Sequence, residues 1–408
     1  MTEPDAVLTI PLFRRGAWQP SRDVIDVPGS AHWRLSLSPR LMIATDARAA
    51  RPADEPRFDQ AARRRILDEA IALFLDRPVD LGPLDTQSPA EFHAAMREIV
   101  GLPPALSERW GEMLRDCVGR LRPPDARIRR ALIVLPANTF TCLEAVAEAV
   151  LSADEVWIRP SRREPVSAVR FAAALLAAGW PAERLGFYPC DAEALDALLD
   201  ATDHHVVFGG DEISARLERT RSVEDKLDLR GAGRGVALVP ADIAADPEAA
   251  ADWLARLIAA NSGRFCKNVC TVLCVGDPEP IAKALAARLD AISIPAVDAD
   301  FPQASVAPAR AESFAKLVQE RTGAADRRVT NRDLVHLDGA GAYLAPTLVH
   351  LADPGTADAP HALLALELPF PFAAICAAGP ELTAAVVERS RFVYTPATDL
   401  EPKEGTST

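Results

Sequence analysis

Apolar positions change period along the chain, and each change marks an element. Leu8 to Phe13 and Trp33 to Leu37 read as short extended pieces, interrupted by Gly16, Pro20, Pro28 and Gly29. From residue 59 to 120 the period becomes helical, with Ile66, Leu67, Ala70, Ile71, Leu73 and Phe74 on one face. The next helix announces its start: Ser88 at the N-cap, Pro89 at the first helical position and Glu91 at the reciprocal capping position. Residues 122–128 form a polar, proline-rich break.

Short apolar strands then alternate with helices. Strands are expected at Ala131–Leu135, Glu155–Ile158, Leu185–Tyr188 and Val206–Phe208. Helices are expected at Leu143–Ser152, at Val166–Ala178 closed by Gly179, from the N-cap Asp191 to Asp200, and after Gly209-Gly210. This spacing predicts a parallel, doubly wound sheet whose ligand binds beyond the carboxyl ends of the strands. A second α/β block begins near Val236, with strands at 236–239 and 269–275 and helices at 247–260 and 278–291. Residues 294–309 read as loop, Tyr343–His350 and Phe372–Cys376 as strands, and Glu401–Thr408 as a frayed polar tail. The domains are therefore set at 1–235, an N-terminal region with a Rossmann-like cofactor-binding domain, and 236–395, a catalytic domain, with a polar tail at 396–408.

Composition narrows the class. The 408 residues are 49% hydrophobic and 25% charged, an ordinary globular balance. A net charge of −13 argues against grip on nucleic acid or an anionic membrane. No run approaches the ~18 apolar residues of a membrane span. The acidic start has no signal-peptide character, and seven cysteines without framework spacing indicate free thiols, so a cytoplasmic protein is expected.

Cys266 is the first chemical candidate. It follows a long helix and a glycine, precedes an apolar strand, and has Arg264 and Lys267 close in sequence. A positive field lowers a thiol pKa and favours the nucleophilic thiolate; the rival reading is a small buried hydrophobe. Cys266, Cys270 and Cys274 sit four apart, but a zinc site needs a second pair of ligands and no histidine lies close in sequence to supply one, so no metal is expected and the latter two are assigned to the core. Gly231-Ala-Gly233-Arg-Gly235 precedes a strand rather than following one, which rules out a phosphate-binding turn and leaves a crossing between domains. Asn138, just after the first strand of the parallel block, is either an oxyanion donor or a turn residue.

In order along the chain, Leu135-Pro-Ala-Asn138, Ile158-Arg159-Pro-Ser-Arg162-Arg-Glu-Pro165, Val207-Phe208-Gly209-Gly210, Asn261-Ser-Gly-Arg-Phe-Cys266, Tyr343-Leu-Ala-Pro346-Thr347 and Leu366-Glu367-Leu-Pro-Phe-Pro371 resemble the segments of the aldehyde dehydrogenase superfamily. Within it, the chain is similar to the acyl thioester reductases, including the fatty acyl reductase of bacterial luminescence. The resemblance implies an α/β fold with a doubly wound cofactor domain and an α/β catalytic domain, C-terminally truncated because relatives continue beyond Phe392-Val-Tyr-Thr395. It implies Cys266 as nucleophile holding a thioacyl group, and Asn138 with the Cys266 backbone N–H as oxyanion hole. For the nicotinamide cofactor it implies Arg159 at the adenosine ribose, Gly210 by the phosphates and Glu367 at the nicotinamide ribose. Arg162, where NAD-preferring relatives carry Glu, would attract a 2′-phosphate, so NADP(H) is favoured over NAD(H).

The family's general base has no clean counterpart. The corresponding stretch is Lys226-Leu-Asp228-Leu-Arg230-Gly231, and Asp228 fits only with a register shift. Reduction of an acyl thioester to an aldehyde needs no water-activating base, and so leads. Oxidation of an aldehyde is the alternative, and a noncatalytic partner protein retaining the fold is a third reading. The expected partners are an acyl thioester or aldehyde substrate, and a second copy or a complementing subunit.

Overall fold

In the computed structural model, the residues described are 7–49, 59–122, 128–210, 213, 215–217, 226–295, 300–339 and 341–396. The proline-rich break at 123–127, the stretch just after Gly210 and the tail from 397 lie outside them. The chain divides into two compact units, Met1–Gly231 and Ala232–Thr408.

In the first unit, Pro11 has no N–H to continue a ladder, and the expected strand at Leu8–Phe13 divides there. The first half, β1 (Leu8–Ile10), and β4 (Val24–Asp26) flank β5 (Trp33–Ser36) in a three-stranded sheet. The second half, β2 (Leu12–Arg14), forms a hairpin with β3 (Ala17–Gln19). Helices α1 (Arg40–Arg48) and α2 (Gln60–Asp76) follow, then the short hairpin β6 (Val79–Asp80) and β7 (Thr86–Gln87). In α3 (Pro89–Val100), Ser88 accepts the Glu91 N–H and Glu91 accepts the Ser88 N–H, so the expected capping box is present. Next come α4 (Pro104–Arg120), β8 (Ile128–Val134), α5 (Glu144–Ser152), β9 (Ala153–Arg159), α6 (Val166–Ala177), β10 (Leu185–Phe187), α7 (Ala192–Ala201), β11 (His204–Phe208) and β12 (Leu227–Arg230).

The seven-stranded sheet has the order β12-β11-β8-β9-β10-β2-β3. Its first five strands are parallel, and the β2–β3 hairpin adds to β10 antiparallel. Alternation along each strand sends side chains to opposite faces. Leu132, Val134, Trp157 and Val207 pack under α1 and α7 with Ile43, Leu195 and Leu198. The chain runs outward from β8 through β9 to β10, then returns to place β11 on the other side of β8. This reversal places the topological switch point at the carboxyl ends of β8 and β11, where doubly wound sheets bind ligands.

The second unit repeats the logic. It contains β13 (Gly235–Val239), α8 (Ala241–Ala244), α9 (Pro247–Ala259), β14 (Val269–Cys274), α10 (Glu279–Asp290), α11 (Pro308–Arg321), β15 (Arg327–Arg328), β16 (Val335–Asp338), β17 (Gly341–Leu344), β18 (Thr347–His350), β19 (Phe372–Ala377), α12 (Pro380–Glu388) and β20 (Val393–Tyr394). The sheet order is β15-β18-β19-β14-β13-β20, parallel except for the edge strand β15. Ala237, Val272, Cys274 and Ile375 face α9 and α10, while Val236, Leu273, Ala374 and Cys376 face the opposite way.

Two expectations are corrected here. Tyr343–His350 is not one strand: Pro346 cannot donate to a ladder, so β17 pairs antiparallel with β16 whereas β18 joins the main sheet. The stretch read as loop to 309 gives way to α11 from Pro308, a helix whose only buried residues are Ala311 and Val318. Among the described residues no helix is long and apolar enough to cross a membrane.

Candidate active site

The Cys266 loop begins where α9 ends. Asn261 (φ 54°), Ser262 (φ 57°) and Gly263 (φ 67°) are three consecutive left-handed residues. For a residue with a Cβ this backbone costs about 1–3 kcal/mol and persists only where the surroundings over-determine it. Ser262 Oγ accepts the Ala304 N–H at 2.9 Å, and Arg264 donates to Ser305 O at 3.0 Å. Gly263 lies so close to Phe370 and Pro371 that a Cβ would meet the Phe370 carbonyl carbon at 2.3 Å. Asn268 ties the far side. Its amide donates at 2.9 Å each to Leu257 O and Ala260 O, carbonyls left over at the end of α9, while its Oδ1 accepts the Phe265 N–H at 2.9 Å.

Gly233 and Gly235 press on the same loop from β13. A Cβ on Gly233 would lie 2.0 Å from Cys266 O, and one on Gly235 2.3 Å from Asn268 O. Close backbone approach is a role that a domain crossing does not require.

Cys266 is exposed, yet the protein around its sulfur raises its pKa. Burial is the largest cause and the Glu367 carboxylate adds to it, while Arg391 and then Lys267 pull the other way without cancelling them. The expectation of a thiol lowered by Arg264 and Lys267 is thus corrected. Arg264 is buried and directed at Ser305 O, and desolvation, with Arg310 nearby, brings its own pKa down to about 10. Cys270 and Cys274 are buried in β14, with thiols pushed up to about 12, mainly by burial.

Glu367 sits on the loop before β19. Its Oε1 accepts the Arg234 N–H at 2.5 Å. The loop is pinned by fully buried Thr271, whose Oγ1 accepts the N–H of Ala365, another left-handed residue (φ 59°), at 2.9 Å. Cys266, Glu367, Lys267 and Arg391 therefore gather at one thiol. Sequence reasoning missed Asn268, Thr271, Arg391 and Tyr394. A lone amide between Cys266 and an apolar strand was the only available signal, and it pointed to Asn268.

In the first unit, Asn138 follows β8 and Gly210 follows β11, the two neighbouring strands at which the strand order reverses. Asn138 is half-buried, and a Cβ on Gly210 would meet nothing within 4 Å among the described residues. Arg159 ends β9 and donates from Nη2 to Cys190 O at 3.0 Å; its Nε is buried without a hydrogen-bond partner among the described residues. Arg162 is exposed, and its charge, like that of Arg159, acts on the Cys190 thiol. Asp228 lies on β12, its carboxylate held at 2.9 Å by Arg230, which also reaches Glu144 and Glu148.

Comparison with known proteins gives the same family. No curated protein matches the chain in sequence. The fold matches NADP-dependent glyceraldehyde-3-phosphate dehydrogenase from Bacillus halodurans, solved with NADP (TM-score 0.72, 16% identity, 97% of this chain and 87% of that one). It also matches lactaldehyde dehydrogenase from Escherichia coli (0.73, 18%, 96% and 87%) and an NAD-dependent aldehyde dehydrogenase from Sinorhizobium meliloti (0.73, 18%, 98% and 85%). The sequence profile of the aldehyde dehydrogenase family matches residues 135–357, more than half the chain, and this chain belongs to that family.

Proposed function

We propose that the protein is a nicotinamide-dependent oxidoreductase that oxidises an aldehyde through a covalent adduct at Cys266. The observation that carries this reading is the exposed thiol on a left-handed loop fixed from both sides, by Ser262, Gly263 and Asn268 and by Gly233 and Gly235. Such a loop fixes the attack geometry of the nucleophile before substrate arrives.

The residues present fit a dinucleotide. The orphaned Arg159 Nε and the open space over Gly210 lie at carboxyl ends of the parallel strands, where ribose hydroxyls and phosphates bind in this sheet class. Arg159, Gly210 and Glu367 would hold the cofactor, and Arg162 beside Arg159 supports NADP(H) over NAD(H). When bound, the nicotinamide supplies the hydride acceptor. The Cys266 thiolate adds to the carbonyl carbon, and the oxygen takes up the negative charge. The Asn138 amide and the Cys266 backbone N–H are assigned to that oxygen. With a nicotinamide bound, the hydride would pass to it and leave an acyl group on sulfur, which water would release as the carboxylic acid, freeing the thiol.

A second reading, reduction of an acyl thioester, is favoured by the state of Asp228. Its carboxylate is committed to Arg230 on a paired strand, which suits it poorly to activate water. An acyl group on Cys266 would then leave to a thiol, and the reverse direction takes in a thioester and releases an aldehyde.

The test measures intact mass after incubation with aldehydes plus NADP or NAD, and with acyl-CoA thioesters, against Cys266→Ala, alongside nucleotide absorbance. An acyl adduct on the wild type alone, formed from aldehyde with reduction of nucleotide, supports the first reading. An adduct from acyl-CoA but from no aldehyde moves the assignment to the second. No adduct from any substrate on folded protein rejects both.

A further inference from the structure

β20 and the turn before it close on the Cys266 loop. Val393 and Tyr394 pair with Val236 and Ala237 of β13. The Arg391 N–H donates to Gly233 O at 2.8 Å, and Gly233 is the residue that abuts the Cys266 carbonyl. Phe392 packs on the same glycine, where its Cε2 would lie 2.8 Å from an added Cβ. Tyr394 OH donates to Lys267 O at 2.8 Å, the carbonyl next after Cys266. Three successive anchors thus hold exposed Arg391 beside the nucleophile.

We propose that Arg391 is a positioning residue for Cys266, held by β20 so that its guanidinium stabilises the thiolate against the neighbouring Glu367 carboxylate. The charged and titratable groups around the sulfur are Glu367 from the loop before β19, Lys267 on the nucleophile loop, Arg391 from the turn before β20, and Tyr394 on β20. Burial and Glu367 disfavour the thiolate; of the two cations that favour it, Arg391 has the larger influence. Tyr394 is kept protonated: burial, and then the adjacent Cys266, push its pKa up to about 12. Its hydroxyl is therefore a donor to Lys267 O throughout the working pH range, and the strand stays clamped while the thiol titrates. Arg is suited to the task because its charge persists at every pH at which the thiol ionises.

The inference rests on Cys266 as nucleophile, but its test does not require the substrate. The rate at which iodoacetamide alkylates Cys266 is followed by peptide mass from pH 6 to 10 in wild type, Arg391→Gln and Arg391→Lys, each checked for folding by its melting curve. An opposite charge lost from a partly exposed position raises a thiol pKa by about 0.5–1, so Arg391→Gln is expected to slow alkylation about three- to tenfold at pH 7. Its titration is displaced to higher pH, so the deficit narrows only as the pH passes the thiol pKa, and Arg391→Lys recovers most of the rate. A glutamine curve superimposed on the wild type overturns the proposal, as does a titration midpoint identical to the wild type with the same fractional deficit on its high-pH plateau, which would mark a purely steric role. Normal alkylation curves with no acyl adduct from any substrate would instead reject the functional reading and leave this inference standing.

Discussion

Gly233→Ala offers the sharpest test of how the nucleophile is held. The substitution adds one methyl group at a residue with no left-handed backbone, so its effect is steric rather than conformational. The new Cβ would lie 2.0 Å from Cys266 O, 2.5 Å from Cys266 C and 2.8 Å from Phe392 Cε2. Restoring an ordinary contact of 3.4 Å to the carbonyl oxygen demands a displacement of about 1.4 Å. The loop has little freedom to yield, because Asn268, Ser262 and Gly263 fix it from the other side. Overpacking of this kind costs about 1–3 kcal/mol of stability. A nucleophile moved by about 1 Å loses on the order of a hundredfold in rate. Melting curves and the rate of acyl-adduct formation at Cys266 measure the two effects separately. Expected is a folded variant with a lowered melting temperature and a reaction slowed about a hundredfold. A variant that melts and reacts like the wild type would refute the apposition of Gly233 and Cys266.

Other perturbations read the scaffold. Arg170→Met removes a fully buried guanidinium that donates to Phe74 O, Gln87 O and Arg77 O, and should cost about 3 kcal/mol or more by denaturant unfolding because those carbonyls lose their donor. Thr271→Val leaves the Ala365 N–H without its acceptor; about 1–3 kcal/mol of destabilisation is expected, with a KM for cofactor that rises more than kcat falls, since the loop it pins carries Glu367. His93, 2.7 Å from Ser107 Oγ, has its pKa lowered chiefly by burial, and His204 is lowered in the same way. Their folded pKa values lie below the unfolded one, so the unfolded chain takes up protons first as pH falls, and stability present above about pH 6.5 is lost on acidification. Replacing His93 with Gln should shrink the melting-temperature difference between pH 7 and pH 5; an unchanged difference would show that His93 does not contribute to it.

What could be read in advance divides by range. The Ser88–Glu91 box and the Asp191 cap, which accepts the Ala194 N–H at 2.8 Å, are closed by partners three residues apart, and local spacing is enough to specify them. The alternation of strands and helices was equally legible, because fully buried strands such as β14 and β19 are continuous apolar runs. Helix α11 carries a stripe too, Ala311, Phe314, Ala315 and Val318 at i, i+3, i+4 and i+7, but its start at Pro308 lies inside a proline- and alanine-rich run that reads as loop. β20 is two half-buried residues, and only its pairing with β13 defines it as a strand.

The same division runs through the candidate site, and it explains why Cys266 was easier to single out than the charges that surround it. Cys266 stands at a junction of helix, glycine and strand, a feature contained in ten residues. The charges that act on its thiol include Glu367 and Arg391, both about a hundred residues further along the chain, whereas Arg264, only two residues away, turns to Ser305 O. Glycines at 233 and 235 were visible as a pattern, but the backbone they must admit belongs to residues 266–268. Sequence neighbours share a side-chain environment only where the local backbone points them the same way, and here Arg264 turns inward to Ser305 O while Cys266 is exposed. The loop that presents the thiol thus turns Arg264 away from it, and the adjacent Lys267 acts on the thiol less than Arg391, which arrives from the far end of the unit.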